Sequence, residues 1–143
     1  MTPSPSMPDA ARLWLALGAL NGLLALAAAA FGRHGLAVSE SGLREVFMIG
    51  VDVHMWHALA LLAVAALAAR CGLRPEAGEA RAPNSGTLNV AGGAFVSGII
   101  LFSGPLYVRG LTGETLLAGT APLGGSLLFA GWAALIWAAV KGR

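Results

Sequence analysis

The sequence predicts an all-α, polytopic membrane protein: a bundle of four transmembrane helices, with an interfacial, amphipathic extension at the start of the second. Three observations predict it. Of the 143 residues, 57% are hydrophobic and only 11% charged, with a mean hydropathy of +0.73, whereas a soluble domain carries roughly 25% charged residues because its surface faces water. The apolar residues gather in runs of about 20, the number that crosses a hydrocarbon core of about 30 Å at about 1.5 Å per residue. Between the runs lie shorter segments holding most of the charge and several Gly and Pro. This length allows one domain. The formal charge of +2 is small and the nine Lys and Arg are scattered, which leaves no basic stripe for nucleic acid. A single cysteine, Cys71, excludes an internal disulfide and a thiolate cluster. At a helix end it reads as a packing residue, or alternatively as a juxtamembrane acylation site.

Residues 1–9, with Pro3, Pro5 and Pro8, read as a disordered tail, because Pro offers no amide donor and the stretch has no apolar period. The four-helix domain then fills 10–143. Its first span covers 13–31. A signal peptide is the rival reading, since Ala27–Ala30 imitates a small-residue cleavage site. The run is longer than such segments, and Arg12 is the only basic residue before it, so a retained helix is expected. Gly18 and Gly22 form a GxxxG, whose missing side chains admit a second helix; Gly22→Leu is therefore expected to disturb the bundle more than Ala37→Leu. Gly98, Gly124 and Gly125 are read as further helix-packing positions. Gly32–Gly35 ends the helix, with glycine supplying a positive φ and Arg33 facing the last carbonyls.

Ser39 or Ser41 can cap the next helix, with Glu40 and Glu45 near its positive end. That helix is expected over 41–69, too long for one perpendicular span. Its first turns, with Leu43, Val46, Phe47 and Gly50, are amphipathic and belong at the interface or against the bundle, leaving 51–69 as the span. A polar connection follows over 70–89. The third span covers 88–108 and the fourth 122–140, where Pro122 follows the capping Thr120 and sits in the first turn, where a missing amide costs nothing.

Four spans put both termini and the 70–89 connection on one side, with Arg12, Arg70, Arg74, Arg81, Lys141 and Arg143; Arg33, Arg44 and Arg109 lie opposite. The positive-inside rule then expects both termini in the cytoplasm, in what is read as a bacterial inner membrane. A weak internal repeat carries Asn21-Gly-Leu-Leu24 onto Ser97-Gly-Ile-Ile100, Phe31 onto Tyr107 and Arg33 onto Arg109. It suggests two hairpins in the same orientation, with the first and third helices together at the centre.

Chemistry, if any, is expected at Val51–His57, which gathers Asp52, His54 and His57 where the second helix enters the membrane. His34 joins them as a functional polar cluster. His54 and His57 are three apart, so they share a helix face. Neutral imidazoles at that spacing can bind a metal or haem iron, with His34 as a third ligand. The competing reading has the histidines bonding between helices and Asp52 paired with an arginine. Two histidines at this spacing carry no HExxH pattern. An acid inside a membrane is a functional candidate because burying its charge is costly, but the other three spans hold no acid to continue an ion pathway. No catalytic set appears. Trp14, Trp56, Trp132 and Trp137 read as interfacial anchors or packing residues.

Four ordered motifs add a resemblance: Phe31-Gly-Arg-His-Gly-Leu36, Trp56-His-Ala-Leu-Ala-Leu-Leu62, Leu101-Phe-Ser-Gly-Pro-Leu-Tyr107 and Ala121-Pro-Leu-Gly-Gly125. Across about residues 13–140 the chain resembles the small four-span membrane proteins of domain-of-unknown-function family 423, the YgdD and YwdK type, to which a eukaryotic transmembrane protein is similar. That family shows GAFGAHGL, YQMYHALALL, FSGSLY and TPIGG, and His34 and His57 match its two histidines. His54 stands at the family's Gln, Val53 at its Tyr, and Pro105 at the Ser of FSGSLY. The resemblance therefore makes a family-wide pair of ligands at His54 and His57 unexpected, and Pro105 puts a regular helix to Tyr107 in question. It implies fold and location and no established activity.

The reading that follows is a non-enzymatic accessory, assembly or scaffold component acting through helix contacts, with the lipid bilayer, further copies or a larger complex as partners and no cofactor. A histidine-ligated metal or haem protein is the alternative, and a small-molecule or lipid-binding bundle the third.

Overall fold

The structure is a computed structural model that describes residues 6–36, 41–71, 84–115 and 119–141. These form four helices, α1 (Asp9–Ala30), α2 (Ser41–Arg70), α3 (Ser85–Thr112) and α4 (Thr120–Lys141), and α1 runs on into a π-helical turn, Phe31–Gly35. All four are long and apolar enough to cross a membrane, and no strand occurs among the described residues. Met1–Pro5 of the expected tail lie outside the described residues, as do Ala37–Glu40 and 72–83 of the polar connection.

Local chemistry sets the ends. Asp9 lies in the first turn of α1, favourable to the helix dipole. Asn84 caps α3 by accepting from the Gly86 amide at 2.8 Å. Gly113 closes α3 with φ 76° and its N–H on the Arg109 carbonyl, the left-handed cap that glycine adopts freely. The expected positive φ within Gly32–Gly35 is not used, because positive φ occurs among the described residues only at Gly113 and Gly119. Instead the chain widens to π geometry, and the Leu36 amide bonds the Phe31 carbonyl at 2.8 Å. Arg44 then secures this end, its Nη2 donating to the Leu36 carbonyl at 2.7 Å. Pro105 lies inside α3 without ending it.

The helices pack in chain order, α1 on α2, α2 on α3 and α3 on α4, while α1 and α4 do not pack along one another. The bundle is thus an open row. The expectation of α1 and α3 together at the centre is corrected: α2 and α3 form the central pair. Bulk explains it, since Trp14 fills the space where α1 meets α3, and a Cβ on Gly92 would lie 2.7 Å from its ring. Trp14 Nε1 donates to Asn89 Oδ1 and Trp132 Nε1 to His57 Nε2, each pair 75 residues apart, so α1 and α3 share a depth, as do α2 and α4.

Glycine contacts vary in kind. A Cβ on Gly124 would strike the Phe102 backbone, and one on Gly98 would strike Leu128. A Cβ on Gly18 would lie 2.7 Å from Leu62, and one on Gly125 would make only ordinary contact with Phe102 at 3.7 Å. One on Gly22 would meet nothing within 4 Å among the described residues. Its expected close contact is corrected: the GxxxG step turns Gly22 away from the α2 face that Gly18 occupies.

The start of α2 packs on the bundle. Phe47 is buried, its ring 4.9 Å from Tyr107 and 6.1 Å from Phe31. A Cβ on Gly50 would lie 3.2 Å from Leu106 and Tyr107. At about 1.5 Å per residue the 30 residues of α2 extend about 45 Å, beyond a hydrocarbon core of about 30 Å. His54 and His57 are the fourteenth and seventeenth of those 30 residues, near the middle of the helix. Arg44 and Glu45 make the early turns look extramembranous in sequence, yet Phe47 and Val51 are core residues.

Candidate functional site

Two histidines buried inside a membrane helix have to satisfy four ring nitrogens without water, and the helices around them are arranged to do so. Asn21 of α1 donates through Nδ2 to the Leu17 carbonyl at 2.8 Å, which leaves its Oδ1 as an acceptor. His54 Nε2 lies 3.0 Å from that oxygen and therefore carries the proton. Its Nδ1 is then an acceptor, filled by the Tyr107 hydroxyl of α3 at 3.0 Å. One imidazole thus joins three helices.

His57 is held in the other tautomer. Its Nδ1 lies 2.7 Å from the Val53 carbonyl one turn back on α2 and must donate to it. Its Nε2 accepts from Trp132 Nε1 of α4 at 3.2 Å. The ring also packs 5.5 Å from Phe95 of α3, and Phe95 meets Trp132 edge-on at 5.4 Å. Gly131 makes room for this cluster, since a Cβ there would lie 2.5 Å from the Phe95 ring. His57 therefore ties α2 to α4 across α3, where a polar side chain lacking a partner would cost several kcal/mol.

The expected cluster of His34, Asp52, His54 and His57 is not a cluster. Positions three apart on a helix still diverge by about 60°, enough to send His54 toward Asn21 and Tyr107 and His57 toward Trp132. His34 lies exposed in the π-helical turn, and Asp52 is exposed on α2. The ligand set His34, His54 and His57 is corrected accordingly: no group of three His, Cys, Asp or Glu able to hold a metal occurs among the described residues. Both imidazole lone pairs already have donors. Asp52 makes no ion pair among the described residues, so the expected pairing with an arginine is not found there; Arg44 bonds the Leu36 carbonyl.

Cys71 follows the last residue of α2, half-buried, with Sγ 3.5 Å from the Leu67 carbonyl; burial pushes its thiol up. Of the tryptophans, Trp14 is buried as a packing residue, while Trp56, Trp132 and Trp137 are exposed. Lys141 Nζ sits 4.8 Å over the Trp137 ring.

Sequence reasoning missed the residues that complete these networks: Asn21, Tyr107, Phe95 and the Trp132 indole N–H. Asn21 carried a signal, as the one amide in a run of Leu, Ala and Gly. Ser103 was missed as well. It is fully buried, and its Oγ has no hydrogen-bond partner among the described residues.

The family described as Protein of unknown function (DUF423) matches residues 28–125, well over half the chain and including the π-helical turn, both histidines and Tyr107. The chain belongs to the DUF423 family. The chain is 37% identical over 132 residues to the UPF0382 membrane protein YwdK of Bacillus subtilis, covering 91% of this chain and 98% of that protein. It is 35% identical to a UPF0382 membrane protein of Staphylococcus aureus (91% and 97% covered), and 29% to one of Haemophilus influenzae (91% and 95%). No solved structure matches. These relatives agree with the four spans in being membrane proteins, and fix no activity.

Proposed function

We propose that this DUF423 protein is a non-enzymatic accessory, assembly or scaffold component of a bacterial inner membrane, acting through lateral helix contacts without a bound cofactor. One observation carries the reading: all four ring nitrogens of His54 and His57 bond within the helix row, so the groups best suited to chemistry serve instead to hold helices together. The open row supports it too, because α1 and α4 leave outer faces on which other helices can pack. The distribution of basic residues between the two sides supports cytoplasmic termini under the positive-inside rule.

The test is native mass spectrometry of the full chain extracted in mild detergent. A homo-oligomer or a stable complex is expected; a monomer that carries nothing with it would overturn the reading. A fluorescent protein fused after Arg143 should fluoresce, and an active alkaline phosphatase fusion at the same point would invert the orientation.

A further inference from the structure

The exposed face of α2 presents Ile49, Asp52, Trp56, Leu59, Ala63 and Ala66. Their spacings alternate three and four, the seam of a left-handed pair of parallel helices. Two side chains on it do not suit lipid. Asp52 is the twelfth of the 30 residues of α2, which puts it about 5 Å from the helix centre at about 1.5 Å per residue. A carboxyl facing lipid there is costly. Trp56, one turn on, is 63% exposed, and its indole N–H has no acceptor among the described residues. An acceptor and a donor, both unpartnered, stand a turn apart on one stripe. They are four apart on the same helix, so both point outward.

We infer that a second copy of this chain covers this stripe, α2 against α2 about a two-fold axis along the membrane normal, with Asp52 of each copy hydrogen-bonded to Trp56 N–H of the other. A two-fold interface needs a self-complementary surface, and a donor and acceptor on one seam provide it. In a parallel helix pair, a side chain at the Asp52 position fits a hole whose edge is the next seam residue of the other helix, here Trp56. The two Asp52 carboxyls also approach each other at the axis, and the two indole N–H groups flank them. Ala63 and Ala66 let the helices come close further along. On α1 the exposed Asp9 and Arg12 lie at its very start, outside the apolar run, and α4 contains no acid. This inference rests on the proposed role in assembly and names its occupant.

The test uses the full chain in lipid bilayers, with Cys71→Ser as the background. Ala63→Cys and Ala66→Cys on the stripe should cross-link to themselves on oxidation, and Ala133→Cys on the exposed face of α4 should not. By energy transfer between labelled copies, Trp56→Phe should raise the dissociation constant about tenfold and Asp52→Leu at least as much, while Asp52→Asn stays within about threefold, the scale of the two symmetry-related hydrogen bonds lost or kept. Asp52 and Trp56 are exposed, so these variants fold, and the cysteine pairs test the seam without touching either. Cross-linking through Ala133→Cys alone, or a dimer indifferent to Trp56→Phe and Asp52→Leu, overturns the inference and leaves the assembly role standing. A chain that is monomeric by every measure removes both.

Discussion

The two outer helix pairs of this protein are joined by different means. Between α3 and α4 the backbones themselves meet: Gly124 lies against the Phe102 backbone, and Gly98 faces Leu128 and the Gly124 carbonyl. Between α1 and α2 glycine also admits close approach, with Gly18 against the Leu62 side chain and amide and Gly32 under Phe47 and Met48, and a hydrogen bond from His54 to Asn21 is added. Lipid tails are as apolar as Leu, so burial alone does not bring helices together in a membrane. What remains is close packing, which glycine permits, and polar bonding, which the histidines supply. The α3–α4 pair relies on the first, and the α1–α2 pair combines both.

Breaking the glycine contact should have the largest effect. Gly124→Leu places four carbons where the α3 backbone now runs, and neither helix can yield without losing Gly98 against Leu128. A loss of about 3 kcal/mol or more is expected, at or above the upper end for overpacking, measured as the shift in the detergent-unfolding midpoint in bicelles. An unchanged midpoint would mean that α3 and α4 are not in backbone contact.

On the other pair, His54→Leu should cost about 2 kcal/mol in the same measurement. It removes two interhelical bonds and strands Asn21 Oδ1 and the Tyr107 hydroxyl away from water. His54→Gln, which can both donate and accept, should recover most of that loss. A double-mutant cycle of His54→Leu with Asn21→Leu should show a coupling of about 1 kcal/mol; strict additivity would break the assignment of this bond as the α1–α2 fastening.

A smaller effect is expected where α4 meets α2. Trp132→Phe keeps the aromatic contact with Phe95 and removes only the N–H that fills His57 Nε2. Interhelical hydrogen bonds in membranes average about 0.6 kcal/mol, and the loss should be of that size. A loss as large as that of His54→Leu would show that the indole bond, and not Gly124, carries α4.

The four helices were legible because lipid demands long apolar runs, and the runs are nearly all the sequence contains. Whether the first turns of α2 lie at the interface or against the bundle was not, since Arg44 and Glu45 look extramembranous while Phe47 and Val51, a few residues on, are core. The importance of His54 and His57 was legible from their rarity in such a chain. Their roles were not, because spacing gives a helix face and not the neighbour across it. Asn21, Tyr107 and Trp132 come from three other helices, and no local pattern connects them. Small-residue spacing misled for the same reason. It marks where a helix could approach, without saying on which side one does.

Gly22 isolates that point and gives the smallest expected effect. Its spacing from Gly18 makes it look like the second half of a contact motif. Yet four residues turn a helix by about 400°, some 40° past the starting direction, and this carries Gly22 off the line of Leu62 into open space. A leucine there would lie beside Leu23, Leu24 and Leu26, which are already exposed along α1, and would meet lipid instead of backbone. It also replaces glycine by a better helix former, worth up to about 1 kcal/mol in a helix interior. Gly22→Leu should therefore leave the unfolding midpoint unchanged or raise it slightly, while Gly18→Leu, forced against Leu62, should lower it. If Gly22→Leu instead destabilises the monomer as much as Gly18→Leu, another part of the chain covers α1 there. If it leaves the monomer stable but weakens association between chains, α1 contributes a second surface to the assembly, one that approaches by glycine packing where α2 approaches by polar pairing.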